Sequence, residues 1–158
     1  MLAAVSTPQP REQGVHMTDT LYTTTSTAWG GREGRSASED GRVDVNLSVP
    51  KSMGGDDGPG TNPEQLFATG YAACFHSALK SAARRAKVDV SDSAVSVTIS
   101  LVGGLATGID LAARIEAQIG GVDRDVAQQL LEAAHALCPY SRATRNNISQ
   151  EVVLLEAD

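Results

Sequence analysis

The chain has 158 residues, 41% of them apolar and 4% aromatic, with 13 Lys and Arg against 19 Asp and Glu, for a net charge of −6. That length suits one domain whose core is built mainly from Ala, Val and Leu, and the acidic balance repels a phosphate backbone, which argues against nucleic acid as a partner. No apolar run approaches the ~20 residues needed to cross a bilayer, and two cysteines are too few for the disulfide scaffold of a small secreted domain, so a cytoplasmic protein with no membrane partner is expected.

Residues 1–17 read as a disordered leader or extension, with Pro8, Pro10, Arg11 and Glu12 where a secretion signal would carry an apolar stretch, and a single domain follows over 18–158. From Leu21 to Trp29 the chain is Thr-rich and β-prone, Gly30-Gly31 and Gly34 punctuate it, and Arg42 to Val49 alternates apolar with polar, which predicts an antiparallel β region. Pro50 to Pro63 reads as a long loop, and Thr61-Asn62-Pro63-Glu64 supplies an N-cap, a Pro at the first helical position and a carboxylate in the first turn. The helix that starts there, Pro63 to Lys87, is about 37 Å long. It is apolar or small on nearly every face as far as Lys80 and is expected to be buried in its first half. Ser93 to Val102 and Ile109 to Ile119 alternate cleanly and are joined around Gly103-Gly104 as a hairpin. Asp123 to Leu137 carries an apolar stripe of Val126, Leu130, Ala133, Ala134 and Leu137 and is expected to end at Pro139, and Ile148 to Leu155 closes the chain as a strand. Strands, helix, hairpin, helix and strand in that order predict an α+β fold with mostly antiparallel sheets around a long buried central helix.

Cys74 lies mid-helix and shares its face with Phe67, Gly70, Tyr71, Ser77 and Ala78. It is either a core residue acting as a small hydrophobe or a reactive thiol, and the second reading needs a cation that its own face does not supply. Gly70 costs the helix about 1 kcal/mol relative to Ala, which suggests that another group approaches there. Cys138 falls in the last turn of the second helix, just before Pro139-Tyr140-Ser141. The negative end of a helix disfavours a thiolate, while Arg142 and Arg145 offset this, so on local grounds Cys138 is the more thiol-like of the two. Zinc held by Cys74, His76, His135 and Cys138 is disfavoured because His76 lies about 200° round the helix from Cys74. A Cys–His dyad fails for His76 on the same geometry, and stays open only for a His135 brought to Cys74 by the fold. The glycine clusters at Gly30 and Gly54 lack the spacing and the lysine of a phosphate cradle.

Thr61-Asn62-Pro63-Glu64-Gln65-Leu66-Phe67, Gly70-Tyr71-Ala72-Ala73-Cys74-Phe75, Ala133-Ala134-His135 and Cys138-Pro139-Tyr140-Ser141 with Ala143-Thr144-Arg145 resemble the organic hydroperoxide resistance (Ohr) family of the wider Ohr/OsmC fold, over essentially all of Leu21 to Leu155. The Cys-Pro-Tyr-Ser segment and Gly30-Gly31-Arg32 favour the Ohr branch. The resemblance implies an intertwined homodimer with its sites at the subunit interface, and a thiol peroxidase acting on alkyl and fatty-acid hydroperoxides. It implies Cys74 as the peroxidatic residue, Cys138 as the resolving one, and Arg32 and Glu64 completing the site. No bound cofactor is implied; the reductant would be an external dithiol, a dihydrolipoyl group on a lipoylated protein.

In that reading Arg32 supplies the missing cation for the Cys74 thiolate, and Glu64 orients the guanidinium from its far side. Ten helical residues separate Glu64 from Cys74 by about 15 Å, so the Arg bridges the span, the helix breaks, or a second subunit contributes. A shared interface is the simplest of the three. The thiolate would attack the terminal peroxide oxygen and become a sulfenic acid, which Cys138 condenses to a disulfide. Phe67, Tyr71, Phe75 and Met53 are the candidate walls for an alkyl tail, at about 0.8 kcal/mol per buried methylene. His76 and Arg142 depart from the family pattern. The alternative is a non-catalytic protein of the same fold that holds an apolar ligand at the dimer interface.

Overall fold

The computed structural model describes residues 19–104 and 106–156; the expected leader, 1–17, lies outside them. Among the described residues nine strands and α-helices follow one another: β1 (Ser26–Trp29), β2 (Arg35–Ser38), β3 (Asp44–Asn46), α1 (Pro63–Ala86), β4 (Ser93–Gly104), β5 (Gly108–Ile119), α2 (Arg124–Leu137), α3 (Pro139–Thr144) and β6 (Ser149–Leu154). They form two three-stranded sheets, β1-β2-β3 and β4-β5-β6. Every pairing is antiparallel except β5 with β6.

Asn62 caps α1 through its side-chain oxygen, which accepts from the Gln65 N–H at 2.9 Å, with Pro63 at the first helical position. Asp123 caps α2 in the same way. The long hairpin forms because its alternation puts one face inward: in β4 alone, exposed and half-buried residues alternate from Ala94 to Leu101, while Ala113, Ile115, Ala117 and Ile119 of β5 are buried. Onto that face pack α1 and α2, which bring Tyr71, Phe75, Leu79, Ala83, Leu130, Leu131 and Ala134 into one core.

Three expectations are corrected. The buried residues of α1 run from Tyr71 to Ala83, so its first two turns are not the buried part, and Leu66 there is 36% exposed. Within one chain α1 packs against α2, α3 and β4, and Gln65, Leu66 and Thr69 of its first two turns are exposed. Pro139 does not merely stop α2; it opens α3, its fixed φ serving the first position of a new helix. The N-terminal β region also holds β2, a run of small and polar residues that the sequence pattern did not single out as a strand. The β1-β2-β3 sheet contributes no residue to the main core: all four residues of β1 are exposed, and Trp29 is 53% and Val43 45% exposed.

Candidate active site

The turn after β1 places Arg32. Gly30 and Gly31 adopt left-handed φ values of 74° and 58°, which L side chains rarely take, and the chain folds back through a short helical turn at Gly31–Glu33. This turn carries Arg32 to the start of α1, where its two terminal nitrogens donate to the two carboxylate oxygens of Glu64 at 2.8 and 2.6 Å. The hydrogen bonds from Arg32 hold the Glu64 carboxyl below its usual range against partial burial, and those same bonds raise the guanidinium.

The second pair lies further along α1. The sulfurs of Cys74 and Cys138 are 3.7 Å apart although 64 residues separate them, and both thiols are free. Burial pushes the Cys74 thiol above its ordinary value; the backbone N–H of Tyr140 works against this, and the neighbouring Cys138 sulfur adds to the rise. Cys138 is fully buried whereas Cys74 is half-buried. Cys138 stands between α2 and α3, capping both, with no exposed surface.

Arg32 with Glu64 and Cys74 with Cys138 are thus two pairs, and among the described residues no hydrogen bond or ion pair joins one to the other. Helix α1 is continuous from Pro63 to Ala86, which removes a broken helix from the ways of linking them.

Of the four candidate pocket walls, Met53 is 42% exposed and lines a cleft of about 510 Å³ with Glu64, Ala68, Ile99 and Leu101. Phe67 is half-buried, while Tyr71 and Phe75 have no exposed surface and belong to the core of the single chain. Sequence reasoning missed Tyr140, whose ring centroid lies 5.8 Å from that of Phe67 and 5.5 Å from that of Tyr71. Its hydroxyl would stand 3.2 Å from a Cβ at position 70, so Tyr140 is the group that accounts for Gly70. In the sequence it is legible only as the residue two after Cys138.

Among the described residues, neither His76 nor His135 is hydrogen-bonded to the thiol pair. His76 Nε2 lies 3.0 Å from the Ser93 hydroxyl, and the His135 ring lies against Phe75 at 6.5 Å. Burial lowers the His135 pKa and the nearby Arg145 lowers it further. Among the described residues no group of three or more His, Cys, Asp or Glu side chains is arranged to hold a metal ion, and no helix is long and apolar enough to cross a membrane.

Residues 54–153 match the family model described as OsmC-like protein. The chain is 44% identical over 135 residues to the organic hydroperoxide resistance protein of Xanthomonas axonopodis pv. citri, covering 85% of this chain and 94% of that one. Among solved structures, it superposes with a TM-score of 0.78 on the organic hydroperoxide resistance protein OhrB of Bacillus subtilis, at 39% identity over 86% of this chain and all of that one. An organic hydroperoxide resistance protein OsmC from Legionella pneumophila gives a TM-score of 0.81 at 39% identity, with 85% of this chain and 98% of that one covered.

Proposed function

This chain belongs to the OsmC/Ohr family, and from that premise we propose that it is a homodimeric thiol peroxidase which reduces organic hydroperoxides through Cys74 and Cys138. The observation that carries the reading is the 3.7 Å approach of the two sulfurs. The Cys74 thiolate attacks the terminal peroxide oxygen, the O–O bond breaks, Cys74 becomes a sulfenic acid, and the alkoxide leaves and takes up a proton, equivalent to the one Cys74 lost on ionising, to become an alcohol. The Cys138 thiol displaces water from it and closes the disulfide. An external dithiol then reopens that bond, and since Cys138 is buried, Cys74 is the sulfur within its reach. A dihydrolipoyl group on a lipoylated protein is the reductant we assign to this step.

A thiol raised by burial is a poor nucleophile, so the mechanism requires a cation, and Arg32 is our candidate. A guanidinium brought within about 4–6 Å of the sulfur favours the thiolate and so lowers the thiol pKa, and it also stabilises the departing alkoxide. Dimerisation is the step we assign to this. The β1-β2-β3 sheet and its turns expose Trp29 and Val43, and the first turns of α1 expose Leu66, apolar surfaces that a second copy would cover. We place the substrate's alkyl tail on Phe67 and Met53, beside the newly recognised Tyr140.

Thiol titration after one equivalent of cumene hydroperoxide tests the reading. Loss of both thiols, restored by dihydrolipoamide, is expected. Two thiols remaining would favour instead a non-catalytic protein that binds an apolar ligand at the interface.

A further inference from the structure

Helix α3 has six residues, too few to hold a helical shape alone, so whatever fixes α3 also fixes Cys138 at its N-cap. Tyr71 and Cys74 stand three residues apart on α1, as do Cys138 and Ser141 on α3. The two pairs meet in a single antiparallel register: Tyr71 Oη lies 2.8 Å from Ser141 Oγ, and one turn along, the sulfurs lie 3.7 Å apart. Tyr71 and Ser141 are both fully buried. From β6, the side-chain nitrogen of Gln150 donates to Tyr71 Oη at 2.9 Å and to Thr144 Oγ1, whose own hydroxyl donates to the Tyr140 carbonyl at 2.6 Å. An amide nitrogen only donates, so Tyr71 accepts from Gln150, and its hydroxyl shares one further hydrogen bond with that of Ser141, in which either oxygen can donate.

We infer that the Tyr71–Ser141 contact, locked by Gln150, is a register clamp that sets how fast Cys138 captures an oxidised Cys74, with Ser141 and Gln150 as positioning residues. The inference rests on the roles of the two cysteines proposed above. The captured step joins Cys74 S–OH and Cys138 S–H into one S–S bond and releases water. That bond is about 2.05 Å long, so the two sulfurs must close in from 3.7 Å, and a Cys138 held in register with Cys74 has the shortest path to cover. A second hydroperoxide competes for the same sulfenic sulfur, giving up one oxygen to form the sulfinic acid and leaving as the alcohol. An α3 out of register loses that race.

Gln150→Leu and Ser141→Ala, each alone and each combined with Cys138→Ser, are treated with cumene hydroperoxide and followed by intact mass. Expected is oxidation of Cys74 at the parent rate and disulfide closure slowed roughly tenfold. The peroxide concentration that over-oxidises half of Cys74 should fall by the same factor, and in the Cys138→Ser background neither substitution should change over-oxidation. Closure at the parent rate, or over-oxidation raised equally without Cys138, overturns the clamp. Gln150→Leu keeps both hydroxyls and removes only the bond that locks Tyr71 against Ser141, and serves if Ser141→Ala does not fold. Diamide, which takes two hydrogens from a thiol pair without peroxide, separates the two levels. A parent protein that closes its disulfide with diamide but not with peroxide contradicts the peroxidase reading. The clamp then stands if diamide closure is slower in the variants and falls if it is not.

Discussion

Replacing Glu64 by Gln removes the charge that holds Arg32 while keeping the side-chain shape. In the parent both terminal guanidinium nitrogens are engaged, at 2.6 and 2.8 Å, by a carboxylate that is 17% exposed facing an arginine side chain that is 38% exposed. Solvent on the arginine side screens the pair, so the expected cost in stability is only about 1 kcal/mol. The cost in rate is larger. An amide can accept from one guanidinium nitrogen but turns its own N–H₂ toward the other, so the fork rotates, and misplacing a catalytic group in this way lowers kcat/KM by about ten- to a hundredfold. Acid should mimic the substitution. Arg32 holds the Glu64 carboxyl below its usual range, so the pair's contribution to stability is complete above the ordinary Glu value of about 4.3 and is lost as pH falls through the lower native value. Three measurements on parent and variant check this: kcat/KM for cumene hydroperoxide with a dithiol reductant, the pH dependence of Cys74 alkylation, and the melting temperature between pH 3 and 8. An unchanged kcat/KM together with an unchanged alkylation profile would refute the role given to the pair.

Cys74→Ser should abolish peroxide consumption, whereas Cys138→Ser should complete one turnover and then accumulate sulfinic acid on Cys74, both read by intact mass. Sedimentation should give twice the 16.5 kDa chain mass, and a monomer at micromolar concentration would remove the shared interface. Burial and Arg145 lower the pKa of His135, so its unprotonated form supports the fold above the ordinary His value of about 6.5. That support should drain away as pH falls below it, and His135→Gln should flatten this part of the melting-temperature profile. Leu131→Ala, at a core position only 1% exposed, should cost about 2–5 kcal/mol in urea unfolding.

The parts of the fold legible in the sequence were those whose pattern is set by one chain alone. The β4–β5 hairpin shows its alternation because a single face is buried, and α1 announces its start through Asn62 and Pro63. Strand β2 was hidden because Arg35-Ser36-Ala37-Ser38 lies outside the core and has no apolar face to display. Helix α3 was hidden because a proline reads equally as an end and as a beginning. The exposure of the first turns of α1 was misjudged because an apolar surface does not say whether its cover comes from the same chain. At the site, the motifs named the two cysteines, Arg32 and Glu64. They could not show that the sulfurs meet while the guanidinium stays with its carboxylate, since both facts depend on contacts across 64 and 32 residues. The link from Ser141 through Tyr71 to Gln150 was equally invisible, joining three elements whose local patterns say nothing of each other.

Peptide mapping after a single equivalent of an organic hydroperoxide tests the central claim most directly. The account predicts one cross-linked species in which the peptide carrying Cys74 is joined to the peptide carrying Cys138, with the alcohol released in equal amount. Two free thiols with the hydroperoxide intact, or oxygen accumulating on Cys74 while Cys138 stays reduced, would contradict it.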